Sequence, residues 1–507
     1  MIFMLNLIKD ELNKQKNFIA TENGAIGYKT TGSALVDISY KVASFRNSDE
    51  DEIIAHFDKA FFENKEYALK WLFFARDIRE GLGERRLFRI CYKRLYELDE
   101  RLFYLNLLNI IEYGRWDDLI LLIDINDNVA EHISNIIKLQ LTQDLNHFDE
   151  NKPVSLLAKW LPSENASSGK TRYLARIIIK HLGMSPRQYR LTLSKLRAYS
   201  NVVETKMCSN QWQDIDYEKV PSLANLKYKD AFYKHDEYRR IEYLESVKKG
   251  TSKLNMQVAT PVDVVSRYMK NRYSFRMIDY DETLELAWKN LKDILVEDTL
   301  VVADGSGSML CSVAGQTTAL DVANALALYT SEHNSGVYKN KYITFSNEPQ
   351  FVEFDENSSL QEKLAIALQH NEVANTNIEA VFNLILQIAI VNNIPQNEMI
   401  KSVLIISDME FDRAQTSWMN SSNVLTQSLF DIIRERYHNA GYNLPRLVFW
   451  NVNSRTGAIP LTENELGVAL VSGFSQNVLK MVMSGKYDPY DVLIETITDS
   501  RYDKIKV

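Results

Sequence analysis

The 507-residue chain is 45% hydrophobic and 25% charged, with a formal net charge of −8. That composition excludes a collagenous, low-complexity or disulfide-stapled protein, and its three scattered cysteines (Cys91, Cys208, Cys311) suit a reducing compartment. The apolar start, Met1 to Ile8, runs straight into Lys9-Asp10-Glu11 without a basic leader or cleavage site, and no uncharged stretch approaches membrane-spanning length. A cytoplasmic protein with no membrane partner is expected.

Taken in chain order, residues 1–290 read as helix upon helix. Glu52–Phe62, Lys65–Glu80, Glu84–Leu98, Arg101–Tyr113 and Asp117–Ile125 carry helical periodicity, and turns such as Gly81-Leu82-Gly83 and Gly114-Arg115 separate them. Helix pairs joined this way predict an all-α helical-repeat domain, a HEAT-like solenoid or ring, although no clean sequence period emerges.

Charge is uneven along the chain. Residues 301–507 hold 14 Lys+Arg against 23 Asp+Glu, whereas residues 151–200 hold ten Lys/Arg against Glu164 alone. Thr171–Leu182 is helical in pattern, with Arg172, Arg176 and Lys180 at i, i+4 and i+8 beside Lys170. Ser185-Pro186 starts a second helix, along which Arg187, Arg190 and Arg197 form a stripe. Tyr173, Tyr189 and Tyr199 interleave with these cations and are candidates to stack on bases. An RNA contact through Lys170, Arg172, Arg176, Lys180, Arg187, Arg190 and Arg197 is expected; a solvated helical face is the alternative. Residues 201–260 are more irregular, and the domain boundary falls near 285–298 without a flexible linker.

Residues 297–507 change character. Thr299–Ala303, Lys341–Phe345, Ser402–Ser407 and Arg446–Val452 are short β-branched or aromatic runs, most of them separated by helical patterns, which predicts a doubly wound α/β domain. Asp304-Gly305-Ser306-Gly307-Ser308 follows the first strand, Thr376 opens a helix and Asp408 ends a later strand. Oxygen ligands of this kind at the carboxyl edge of a sheet suit Mg²⁺ or another hard divalent cation. The eight histidines form no metalloprotease spacing, and no phosphate-binding glycine loop or nucleophile elbow accompanies the motif, so a binding protein is expected and not an enzyme.

The order DxSxS, then Thr, then Asp resembles the metal-ion-dependent adhesion site (MIDAS) of von Willebrand factor A domains. The resemblance implies that Ser306, Ser308 and Thr376 coordinate directly. Asp304 and Asp408 would act directly or through water, and a protein partner would supply a carboxylate. One departure is Asn375, where a glycine commonly precedes the threonine.

A helical-repeat domain followed by such an A domain resembles the Ro proteins, which carry a TROVE module and bind small non-coding or misfolded RNAs as ribonucleoproteins. Arg76-Asp77-Ile78-Arg79-Glu80-Gly81-Leu82-Gly83-Glu84-Arg85-Arg86, Lys159-Trp160-Leu161-Pro162-Ser163-Glu164 and Ser407-Asp408-Met409-Glu410-Phe411 carry the likeness. They place the chain nearest to an uncharacterised Ro-like group of phages, large viruses, plants and fungi. That likeness implies RNA on the basic helical surface, with Arg76, Arg79, Arg85 and Arg86 as a second candidate contact. The competing reading is a metal-dependent protein-interaction scaffold without nucleic acid.

Overall fold

The computed structural model describes residues 16–200, 202–271, 276–345, 348–371, 375–413 and 428–507. Two compact units emerge, and neither is one continuous stretch of chain. One combines Met1–Trp71, Glu80–Leu82 and Met256–Tyr502; the other combines Leu72–Arg79, Gly83–Asn255 and Asp503–Val507.

The second unit is helical. Arg85–Leu98 (α1) is strongly amphipathic and buries Leu87, Phe88, Cys91, Tyr92 and Leu95. The expected helix over 101–113 divides into Glu100–Leu105 and Asn109–Tyr113, and that over 117–125 becomes Trp116–Ile120 followed by a 3₁₀ turn. The two basic helices form as the pattern predicts. Gly169–Leu182 (α2) is capped by Ser168 and stopped by left-handed Gly183; Pro186–Tyr199 (α3) opens on a Ser185/Gln188 capping box with proline at the first helical position.

The first unit holds a six-stranded sheet: β1 (Thr299–Asp304), β2 (Lys341–Phe345), β3 (Gln350–Glu353), β4 (Ser402–Ser407), β5 (Arg446–Asn451) and β6 (Val468–Ser472), in spatial order β6-β5-β4-β1-β2-β3. All neighbours run parallel except β3, which returns antiparallel on β2. β1 and β6 are buried at every position, β4 and β5 at all but their first, as expected of parallel strands covered on both faces. Two strands, β3 and β6, are additional to the four expected from sequence. Ala319–Glu332 (α4), with a Thr318/Asp321 capping box, connects β1 to β2, and Ile378–Val391 (α5) precedes β4.

The chain winds outward from β1 through β2 to β3, then crosses to the other side of β1 and continues through β4, β5 and β6. The reversal opens a crevice at the carboxyl ends of β1 and β4, where ligands of open α/β sheets bind.

Residues 16–28 depart from the all-helical expectation. Phe18–Ala20 and Ile26–Tyr28 form a small antiparallel hairpin that bonds back to the sheet's loops, with Tyr28 and Ile459 exchanging backbone bonds of 2.7 and 2.8 Å. No helix among the described residues is long and apolar enough to cross a membrane.

Candidate metal centre at the sheet crevice

The sheet register sets the site. Ser402–Ile406 of β4 pairs with Thr299–Ala303 of β1, so Asp304 and the Ser407-Asp408 step emerge side by side. Gly305 turns the chain where a Cβ would meet Asn371 Oδ1 at 3.1 Å, while its own N–H donates to the Phe345 carbonyl at 3.0 Å. Both carboxylates and Ser306 are buried.

Asp304 Oδ1 accepts the Ser306 N–H at 2.9 Å, and Oδ2 accepts the Ser407 hydroxyl at 2.6 Å. The Ser306 and Ser308 hydroxyls lie 3.0 Å apart, and the Ser308 side chain lies close enough to Asp408 to favour its charged form. Asp408 Oδ1 accepts the Glu410 N–H at 3.2 Å, and Oδ2 accepts from Arg455 Nη1 at 2.9 Å. Asp304, Ser306, Ser308 and Asp408 are therefore linked as one cluster.

Thr376 is buried close by, but it bonds differently. Its hydroxyl accepts from Asn23 Nδ2 at 3.2 Å, and the same amide donates to the Glu410 carbonyl at 2.6 Å. Among the described residues no hydrogen bond joins Thr376 directly to the other four. Its tie to the cluster runs through Asn23 and the loop after β4.

Burial pushes the Asp304 carboxyl up to about 7, and the neighbouring charge of Asp408 adds to the effect. Burial raises Asp408 too, opposed by the Arg455 guanidinium. Among the described residues Arg455 is the one cation bonded to the two dry carboxylates, and it reaches Asp408 alone, so the pair is short of positive charge. A hard divalent cation would supply that charge, and the donor set of two carboxylates and two hydroxyls is oxygen throughout. The residues fit such an ion.

The supporting residues were not legible in local sequence. Arg455, on the loop after β5, bridges Asp408 and Glu22, the latter at 2.7 Å. Glu410 is fully buried and takes up the backbone N–H groups of Glu22, Arg455 and Thr456 at 2.7–2.9 Å. Met409 between them adopts a left-handed φ of 62°, a costly conformation for a side-chain-bearing residue. Its N–H bonds Ser407 Oγ at 2.9 Å.

The basic helices are more committed than their sequence suggests. Arg197 spends its guanidinium on the Ala158 and Leu161 carbonyls and on Ser163 at 2.7–2.9 Å. Arg172 caps the Ala166 and Ser167 carbonyls, Arg190 pairs with Glu164, and Lys180 lies 3.3 Å from Asp127. Lys170 is exposed, 3.9 Å from Asp124; Arg176 and Arg187 are exposed and have no ion pair or hydrogen bond among the described residues. The stacking expectation needs correction at Tyr189, which is fully buried with its hydroxyl on the Pro162 carbonyl. Tyr199 packs edge-on against Phe148 and bonds the Lys152 carbonyl, so Tyr173 alone of the three is exposed.

Comparison with known proteins divides the chain at the start of β1. A domain of unknown function, DUF2828, matches residues 21–137 and 127–299, more than half of the chain. The chain belongs to the DUF2828 family. A second domain of unknown function, DUF7788, matches residues 298–503 and so takes in the whole sheet and its crevice. The chain is also 30% identical over 521 aligned residues to uncharacterized protein L728 of Acanthamoeba polyphaga mimivirus, covering 95% of this chain and 87% of the relative. Family membership thus extends over both units.

Proposed function

We propose that this DUF2828 protein is a divalent-cation-dependent binding protein. In this reading the sheet is a von Willebrand factor A-type module with Mg²⁺ at its crevice. Asp304, Ser306, Ser308 and Asp408 would hold the cation, with Thr376 in support. The cation would act as a Lewis-acidic anchor for a partner's carboxylate. The observation that carries the proposal is the charge deficit of the buried Asp304–Asp408 pair at the topological switch point.

The test is thermal denaturation with and without Mg²⁺. The wild type should be stabilised by millimolar Mg²⁺, and the Asp304→Ala/Ser306→Ala variant should lose the effect. A double variant that keeps the full response would overturn the assignment.

A second reading, RNA binding of Ro type on a HEAT-like stack of helices, draws support from exposed Arg176 and Arg187 with Lys170 and Lys180 on α2 and α3. In that reading Arg176→Glu/Arg187→Glu weakens salt-sensitive RNA binding, whereas Arg197→Ala costs stability because its guanidinium holds three groups of the fold. Purified protein free of nucleic acid, with no salt-sensitive RNA binding at micromolar concentration, would leave the protein-binding reading alone.

A further inference from the structure

The N-terminal hairpin meets the rim of the crevice through its turn, Thr21-Glu22-Asn23-Gly24. The backbone of this turn is anchored several times over. The Glu22 N–H donates to buried Glu410 Oε2 at 2.8 Å, and the Thr21 hydroxyl donates to the Phe411 carbonyl at 2.7 Å. The Ala25 N–H reaches the same carbonyl at 3.3 Å, and the Asn23 carbonyl accepts the Arg413 N–H at 3.2 Å. Asn23 Nδ2 completes the set on the Glu410 carbonyl at 2.6 Å. None of these bonds uses the Glu22 carboxylate.

That carboxylate turns instead to Arg455, taking its Nε at 2.7 Å. Arg455 is held in place without it. Its backbone N–H donates to Glu410 Oε1 at 2.7 Å, and its Nη1 donates to Asp408 Oδ2 at 2.9 Å. The Glu22–Arg455 ion pair is therefore redundant for the fold on both sides. It is also open to water, with 49% of the Glu22 side chain and 27% of the Arg455 side chain exposed. An ion pair so placed is weak and exchanges readily. The Nε–Nη2 edge of a guanidinium is a two-pronged receptor for a carboxylate, and among the described residues Glu22 is the one acid bonded to it.

We infer that Glu22 is a built-in stand-in for an acidic side chain of a protein partner, which displaces it from Arg455 at the crevice rim. The inference rests on the metal reading above and adds a second carboxylate contact to it. A partner segment with two acidic residues would offer one to the cation and the other to Arg455. The anchored turn stays in place, and only the Glu22 side chain swings out to water. Among the described residues of this rim, Asp304, Asp408, Glu410, Asp412 and Glu22 outnumber Arg455 and Arg413. An acidic segment is therefore repelled until the cation is bound. Glu22 acts as a latch, admitting only segments that outcompete it for Arg455.

The experiment uses the full chain and a fluorescein-labelled hexaglutamate peptide, with anisotropy read at fixed ionic strength in millimolar Mg²⁺ or in EDTA. The wild type should bind the peptide weakly and only with Mg²⁺. Glu22→Gln should bind it about fivefold more tightly, the effect of removing one exposed competing ion pair. Without Mg²⁺ this variant should melt within about 2 °C of the wild type, because the turn keeps its backbone anchors. Adding Arg455→Gln to Glu22→Gln should abolish the gain.

A Glu22→Gln variant that binds no more tightly than the wild type overturns the latch, as does a gain that survives Arg455→Gln. Failure of every protein to bind the peptide also overturns it, and Mg²⁺ stabilisation of the wild type in the same samples would show that the metal reading survives. A gain of equal size in Mg²⁺ and in EDTA keeps the latch and overturns the metal reading. A labelled hexauridylate that gains as much as the peptide would overturn the assignment to an acidic protein segment and mark the Arg455 edge as a nucleic-acid contact.

Discussion

The sheet crevice and an arginine cluster of the helical unit differ in how their charges are matched. At the crevice two buried carboxylates have one bonded cation among the described residues, Arg455 on Asp408; around Asp117 and Asp118 three arginines share two carboxylates. The basic helices α2 and α3 carry more cations than either, yet most of those are spent on nearby carbonyls or acids. What sets the crevice apart is unmatched charge withdrawn from water, and a count of charged residues along the sequence does not reveal it.

The strongest way to break the comparison is to unbalance its matched part. Asp118→Ala leaves Arg76 buried without its partner and should destabilise the helical unit by about 3–5 kcal/mol, read from chemical denaturation. A loss below about 1 kcal/mol would mean that water or another acid reaches Arg76 readily, and the idea of a matched cluster would fall.

Next in size is Arg455→Ala. Without Mg²⁺ it removes the only cation bonded to Asp408 among the described residues and should cost about 2–3 kcal/mol. With Mg²⁺ the loss should shrink, because the ion replaces the missing charge. Equal destabilisation with and without the metal would show that Arg455 and the cation do not share Asp408.

Asp304→Asn sharpens the contrast, since it removes charge while keeping shape. The metal-free protein should become more stable at pH 8 by about 1 kcal/mol as mutual repulsion disappears. The Mg²⁺-dependent rise in melting temperature should vanish in the same variant. A variant less stable than the wild type at that pH would argue that the carboxylates are already compensated.

An effect of comparable size, outside both clusters, concerns His56, whose imidazole is lowered to about 4 by burial, with Lys41 and Lys59 adding to the shift. Its folded pKa lies below the unfolded value of 6.5, so between pH 6.5 and 4 the unfolded chain binds the extra proton. Stability is fully present above pH 6.5 and falls as pH drops through that window. Partial exposure holds the contribution to about 1–2 kcal/mol. His56→Gln should flatten the stability profile over that interval, measured by urea denaturation at successive pH values; an unchanged slope would place the titration elsewhere.

Much of the α/β core was readable in sequence because its signals are local. Strands β1, β4 and β5 are largely apolar runs and β2 is β-branched and aromatic, while Asp304, Ser306, Ser308 and Asp408 lie at or just past the ends of two of them. Gln350–Glu353 was too short and too polar to signal β3, which is defined by its antiparallel pairing with β2. Arg455, Glu410 and Asn23 reach the crevice from three separate loops, so no spacing rule links them. The α2–α3 stripe shows the converse. Arg197 and Tyr189 have the right spacing for a surface, but interior carbonyls at Leu161 and Pro162 claim them, and periodicity cannot report a distant acceptor.

The hairpin at residues 18–28 has a consequence for how the chain is made. Thr21 and Glu22 bond to Phe411 and Glu410 across sequence separations of 390 and 388 residues, and Tyr28 to Asp431 across 403. At ribosomal speeds of about 5–20 residues per second, these partners emerge on the order of 20–80 s after the hairpin has left the exit tunnel. The helical unit from Gly83 to Asn255 can assemble during that wait, whereas the opening segment must stay unpaired until the strand that completes it arrives. A nascent chain stalled near residue 300 therefore displays a folded middle and an unsatisfied beginning. Chaperone capture and proteolysis of such a stalled chain should concentrate on its first 71 residues.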